Sequence, residues 1–331
     1  MTKIVGKEKV ESYPNSIIGK PLVSVLIQTY QHANFIKQCL DGILMQQTNF
    51  PFEIILGEDE STDGTREICK AYSEKYPDKI NLFLRSRKDV IYINGNPTGR
   101  YNFIENLKAA QGKYIALCEG DDYWTDPLKL QKQVDFLEVN PEYGICFHES
   151  EVIWDDAYEN KQSIKLNSEF YWNRMEPEKS VYTITDVFNG PFMATASVIF
   201  RKKDPVDFPD WFFKAASGDI TLYALILNDN KIKFINEIMC AYRRHEGGIT
   251  KFHRSSYIIL NRIETLINLN FHFKNKYIKQ IEQATNAYLN DLNYLNPKEM
   301  MLLFKYYFSS SIVKTHHIKY FSKKLFKRIL N

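Results

Sequence analysis

Glu119, Asp121 and Asp122 put three carboxylates within four positions, directly after the apolar run Tyr114-Ile115-Ala116-Leu117. A strand that ends in acids needs something to neutralise them. Like charges repel, and burial of an unpaired carboxylate costs several kcal/mol. A divalent cation backed by a phosphate is an economical partner, because hard oxygen ligands suit Mg²⁺ or Mn²⁺. An acidic loop wholly in water is the competing reading. Other groups able to do chemistry stand in similar settings. Glu58-Asp59-Glu60-Ser61 follows the short apolar run at 52–57, and Gln28-Thr29-Tyr30 ends the run Val23–Ile27. Asp219 follows a glycine at the start of an apolar segment, and His245 sits between Arg243-Arg244 and Gly247-Gly248.

The elements that position these groups are legible from periodicity. Val23–Thr29, Phe52–Gly57, Ile80–Leu84 and Tyr114–Leu117 read as buried strands. Between them, residues 34–47, 62–76 and 101–110 have helical spacing, with Thr62 or Asp63 as the cap of the second helix. The first 125 residues therefore alternate strand and helix, which predicts a parallel sheet with helices on both faces. Ligands of such sheets bind beyond the carboxyl ends of the strands, where the three polar sets converge. After Pro127 the spacing predicts a helix over 128–139, strands over 143–147 and 150–154, and an irregular stretch over 155–180. A β-rich segment over 192–200, a helix over 220–227, a strand over 232–238 and helical spacing over 256–295 follow.

Composition narrows the classes. The 331 residues hold one large α/β domain plus an appendage, or two modest domains, and 44% hydrophobic content is ordinary for a globular core. The 21 Tyr and 22 Phe serve as core and as flat platforms for sugars or bases. Residues 1–20 contain no apolar targeting segment, and no stretch reaches the roughly 18 apolar residues that span a bilayer. The five cysteines are scattered without a CxxC pair, which predicts reduced thiols in a cytoplasmic setting, with neither disulfide frame nor zinc site. Residues 301–331 carry Lys305, Lys314, Lys319, Lys323, Lys324, Lys327 and Arg328 and no acid. The whole chain has 43 bases and 40 acids, so the first 300 residues carry a small acidic excess. That balance argues against a nucleic-acid partner, which needs a basic patch on the folded body.

Five motifs together resemble family 2 glycosyltransferases of the GT-A fold. They are Val23 to Tyr30, Gly57 to Thr65, Glu119-Gly120-Asp121-Asp122-Tyr123-Trp124, Ser217-Gly218-Asp219, and Tyr242 to Gly248. The resemblance covers about residues 20–250. It implies a Rossmann-like, mostly parallel sheet flanked by helices, with a helical C-terminal extension. The implied division is an irregular lead-in at 1–20, a catalytic domain at 21–250 and a basic extension at 251–331. Within the domain, 21–125 would form the nucleotide-sugar half and 126–250 the acceptor half.

The resemblance also implies roles. Thr29 and Tyr30 match the first nucleotide-contact loop. Asp59 matches the acid that accepts from the nucleobase, and an acceptor-only carboxylate suits the imide N–H of uracil or thymine. Arg100 matches a basic residue that meets the diphosphate, for which a guanidinium fork is apt. Asp121 matches a contact to ribose or metal-bound water, and Asp122 the direct Mn²⁺ or Mg²⁺ ligand. His245 matches a histidine near the metal or diphosphate. Asp219 matches the base of an inverting transfer. Trp124 is the nearest aromatic for an acceptor sugar. The implied partners are a nucleotide-diphosphate sugar, with UDP expected, and the hydroxyl of a surface polysaccharide or lipid-linked glycan.

Two other readings stay open. One is a sugar nucleotidyltransferase, which would want a Gly-rich basic loop where Gln28 to His32 stands. The other is a module that binds a nucleotide sugar without turnover, given Glu at 58 and 119 where the family often has Asp. The basic, aromatic segment 301–331 predicts either peripheral attachment to an anionic membrane surface or a helix pair packed on its own domain.

Overall fold

In a computed structural model, the described residues are 11–13, 16–17, 19–93, 95–154, 164–165, 179–203, 208–215, 217–245 and 256–290. The first half runs β1 (Glu11–Ser12), β2 (Val23–Thr29), α1 (Ile36–Leu44), β3 (Phe52–Glu58), α2 (Thr65–Lys75), β4 (Ile80–Leu84), β5 (Ile91–Ile93), β6 (Asn96–Thr98), α3 (Arg100–Ala109) and β7 (Tyr114–Glu119). The second runs β8 (Tyr123–Trp124), α4 (Lys129–Val139), β9 (Tyr143–Trp154), β10 (Ile164–Lys165), β11 (Val181–Tyr182), α5 (Ile184–Phe188), β12 (Ile199–Arg201), α6 (Gly218–Leu227), β13 (Lys231–Arg244), α7 (Ser256–His272) and α8 (Ile278–Asn290).

The strand order of the main sheet is β1-β4-β3-β2-β7-β12-β9-β13-β11. Strands β4, β3, β2 and β7 are parallel. The interiors of β3, β2 and β7 are almost wholly buried, as their apolar runs require. β12 then pairs antiparallel to β7 and β9, and β13 runs parallel to β9. Register brings the useful tips level: Gln28 faces Gly57 on one side and Glu119 on the other. Helix α3 seals the far side of this edge. Asn102 Nδ2 donates to Gly57 O at 2.9 Å, and Asn106 Nδ2 donates to Ile27 O at 2.8 Å. A Cβ on Gly57 would stand 1.9 Å from Asn102 Oδ1, so only glycine lets the helix come this close.

Two apolar layers sandwich the sheet. One joins α1, α4 and the sheet through Ile36, Leu40, Ile43, Leu130, Val134 and Leu137. The other gathers α3, α5 and α6 with Leu266, Leu269, Ile281 and Ala284 of α7 and α8. Tyr277 and Tyr288 pin those last helices by donating to Asn228 O and Asn189 O. All five cysteines are buried and free. Among the described residues no helix is long and apolar enough to cross a membrane.

Several elements differ from the sequence reading. Residues 143–154 form one strand, because the polar His148-Glu149 pair stays buried in register with β13. Strand β13 extends to Arg244 and carries the chain back to the acids of β7. Of the β-rich segment 192–200 only its end enters β12; Thr195–Ser197 is a 3₁₀ turn closed by Ser197 Oγ donating to Ala194 O. Helix α2 starts at Thr65, after Gly64 at φ 103°, and Asp63 accepts the Thr65 N–H from outside the helix. The hairpin β5–β6 went unread. Most of 155–180, the Gly247-Gly248 loop, Trp172 and the segment 291–331 lie outside the described residues.

Lys129 is fully buried at the start of α4. Its Nζ donates to Gln133 Oε1 at 2.8 Å and stands 4.0 Å from the centre of the Trp124 ring. Burial lowers its pKa to about 8. The unfolded chain keeps this proton up to about pH 10.4, so between the two values it binds more protons and stability rises with pH. Melts at about pH 7.5 and 9.5 should show the wild type gaining about 2 kcal/mol over Lys129→Met. An identical pH response in both proteins contradicts this.

Candidate functional site

A cavity of about 430 Å³ opens at the carboxyl edge of the parallel strands. It collects Thr29 at the end of β2 and Tyr30 after it, Asp59 after β3, Arg87 after β4, Glu119 and Asp121 at the end of β7, and Asp219 from the first turn of α6. Arg100 also reaches it. Asp122, Trp124 and His245 are not among its lining residues.

At one end sits a pair built for a polar, planar ligand edge. Asp59 is only 3% exposed; its Oδ2 accepts from Arg87 Nη1 at 2.9 Å, and its Oδ1 has no partner among the described residues. Burial pushes the Asp59 carboxyl up, and Arg87 opposes that rise. The Arg87 guanidinium stacks 3.9 Å over the ring of Tyr30, which is 39% exposed. Glu58 beside it does a different job. It accepts from Ser61 N at 2.7 Å and from the Arg66 side chain, so it shapes the loop.

The acids after β7 divide in direction. Asp121 faces the cavity mouth, where its Oδ2 is 3.1 Å from His245 Nε2 and 3.9 Å from His32 Nε2. Burial pushes the Asp121 carboxyl up, but the His245 hydrogen bond and the nearby His32 outweigh it and hold it below the usual range. Asp122 turns inward, is 2% exposed, and accepts the Arg243 N–H at 2.8 Å. Burial, with Asp121 and Glu119 alongside, keeps the Asp122 carboxyl well above its ordinary range. It is tied to β13 rather than aimed at the cavity. Glu119 stays at the cavity, and burial together with Asp121 and Asp219 pushes it up to about 8.

His32, Asp121 and His245 each offer a ligand atom, and these atoms lie within 4.8 Å of one another. One carboxylate and two imidazoles suit Mn²⁺, with less call for Mg²⁺. Burial lowers the His32 pKa, which favours the neutral ring that ligation needs, and its buried Nδ1 has no partner among the described residues. The residues present therefore fit a divalent cation, through Asp121 rather than Asp122.

Arg100 and Trp124 differ from their expected settings. Arg100 is 9% exposed and points its two terminal nitrogens at the carbonyls of Phe212 and Ala215. A Cβ on Gly218 would stand 2.5 Å from Arg100 Nη2, so this arginine braces the segment that presents Asp219. Burial lowers its pKa to about 10, while Asp219 counters that fall. Trp124 is 1% exposed, donates to Ala196 O at 2.9 Å and is covered by Lys129. It offers no face to a sugar. Trp154 lies with Tyr242 against Val152 and Ala194, and Trp211 against His272. His32 and Arg87 escaped the sequence reading; the available signal was their place in the loops after β2 and β4.

The sequence profile described as glycosyl transferase family 2 matches residues 24–203. The chain belongs to this family. Among curated relatives, the uncharacterized protein Rv1520 of Mycobacterium tuberculosis is 34% identical over 227 residues, 69% of this chain and 60% of that protein. The match thus spans about three fifths of that relative's length. Among solved structures, S. aureus TarS 1–349 in complex with UDP-GlcNAc aligns with TM-score 0.55 at 20% identity, covering 82% of this chain and 72% of that one. Mannosyltransferase PcManGT from Pyrobaculum calidifontis, in complex with GDP-Man and Mn²⁺, aligns with TM-score 0.51 at 16% identity, covering 90% and 83%. The mixed α/β sheet is thus the GT-A fold of the family.

Proposed function

We propose that this chain moves a sugar from a nucleoside diphosphate, UDP first, to a glycan or lipid-linked hydroxyl, with inversion at the anomeric carbon. One observation carries the reading: Asp59, Asp121 and Asp219 share a single cavity although they come from three separate elements. Asp59 and Arg87 offer an acceptor beside a donor, which complements the N–H and C=O edge of uracil. Tyr30 and Arg87 flank that edge with flat surfaces. Asp219 takes the acceptor hydroxyl's proton as that oxygen bonds to the anomeric carbon. The bond to the diphosphate breaks, and its electron pair leaves on the nucleotide. Mn²⁺ or Mg²⁺, held by Asp121 with His245 and His32, would supply neutralisation of the charge on the departing diphosphate. Arg100 positions the Asp219 segment instead of touching phosphate.

The test is binding, then turnover. UDP with Mn²⁺ should raise the melting temperature, and a UDP-sugar should be slowly hydrolysed without acceptor. Binding without hydrolysis or transfer would favour the non-catalytic reading. Absence of UDP binding would remove the proposal.

The setting is proposed to be the cytoplasmic face of a membrane, reached through the basic segment 301–331. Full-length protein should float with anionic vesicles and a 1–300 truncation should not. Equal behaviour of the two would sink that part alone.

A further inference from the structure

One arginine holds both acids at the end of the 119–122 turn. Gly120 N–H donates to Gln28 O at 3.0 Å, which ties the start of the turn to β2. Its end is tied to β13 through Arg243. The Arg243 backbone N–H donates to Asp122 Oδ1 at 2.8 Å, and its side-chain Nε donates to Asp121 O at 2.9 Å. The first bond keeps the Asp122 carboxyl turned inward. The second fixes the main chain from which the Asp121 carboxylate leaves for the cavity mouth.

The Arg243 side chain is itself held. Its Nη2 donates to Gln38 Oε1 on α1 at 2.7 Å, and its guanidinium stands 4.7 Å from the centre of the Phe35 ring and 5.3 Å from that of Tyr123. Phe35 also packs on His245, with ring centres 4.7 Å apart. A planar fork that serves two acceptors in fixed directions belongs to arginine and not to lysine. Arg243 is not among the residues that line the cavity. Its influence there runs through Asp121 rather than through contact with a ligand. As a bare charge it would repel a cation at Asp121. As a strut it would improve the site. The two effects have opposite signs, so a binding measurement separates them.

Resting on the transfer reading above, we infer that Arg243 is the positioning residue of the cation site. Its side chain aims Asp121 and its N–H withdraws Asp122. It thereby sets which of two adjacent acids serves Mn²⁺.

The test measures Mn²⁺ affinity by electron paramagnetic resonance of the free ion, on the full chain saturated with UDP, and UDP affinity without metal beside it. Arg243→Ala and Arg243→Lys should each weaken Mn²⁺ by about ten-fold or more, as loss of a group that orients a metal ligand does, while metal-free UDP affinity stays within about two-fold. In an Asp121→Asn background Arg243→Ala should cost little more, because both changes remove one interaction. Gln38→Ala cuts the outer end of the strut on the exposed face of α1 and should weaken Mn²⁺ by about three-fold. It serves if melts show that the arginine variants do not fold. A gain in Mn²⁺ affinity on Arg243→Ala, full additivity with Asp121→Asn, or a loss confined to metal-free UDP binding overturns the inference and leaves the transfer reading standing. Unchanged Mn²⁺ affinity in every folded variant does the same. If the wild type binds UDP but no Mn²⁺, the cation site and this inference fall together. If UDP itself fails to bind, the transfer reading falls as well.

Discussion

Asp219→Asn is expected to lower sugar transfer about a thousand-fold, within the range for loss of a positioned general base. Asp219 is the carboxylate that α6 presents to the cavity, beside the braced Arg100. An amide cannot take the acceptor's proton, yet it keeps the shape of the side chain. The residue also stands in the first turn of α6, where a negative charge helps the helix by about 0.3–1 kcal/mol. That loss is too small to unfold the protein, so UDP affinity and melting temperature should change little. Steady-state transfer assays with a melt of the same sample check this. Transfer within ten-fold of wild type would leave Asp219 only its charge in the first turn of α6.

The second large effect separates two adjacent acids. Asp121→Asn should reduce the Mn²⁺-dependent part of UDP binding by about ten- to a hundred-fold, as loss of a metal-site group does, and transfer with it. Asp122→Asn should keep most activity. Burial and its acidic neighbours push the Asp122 carboxyl well above its ordinary range, and its one described duty is to accept the Arg243 N–H. An amide oxygen can do the same. Asp122→Leu, by contrast, orphans that N–H and should lower stability by about 1–3 kcal/mol. Titration of UDP against each variant, with and without Mn²⁺, decides between them. The reverse ranking, with Asp122→Asn inactive and Asp121→Asn active, would place the cation at Asp122.

The contrast shows where sequence reading stopped. The alternation of strands and helices to residue 119 was legible because each buried parallel strand is a continuous apolar run ending in polar residues. The same logic puts the polar tips on one edge. Direction within Asp121-Asp122 was not legible. Two neighbouring acids look equivalent until β13 arrives more than a hundred residues later with the Arg243 N–H. For His32 the only local signal was its place in the loop after β2, since its neighbours Asp121 and His245 come from distant parts of the chain. The surroundings of Arg100 and Trp124 were not legible, for one shared reason. An arginine or a tryptophan beside a site reads as a ligand group, but here carbonyls and Lys129 engage them first. Asp59 was readable as an acceptor, whereas its pairing with Arg87 depends on how the turn after β4 folds back.

A crystal of the full chain grown with UDP and Mn²⁺, measured at the manganese absorption edge, tests the central claim most directly. The expected map has one anomalous peak between Asp121 and His245, the diphosphate against it, and the uracil edge on Asp59 Oδ1. An anomalous peak elsewhere, or a nucleotide bound away from Asp59, would contradict it.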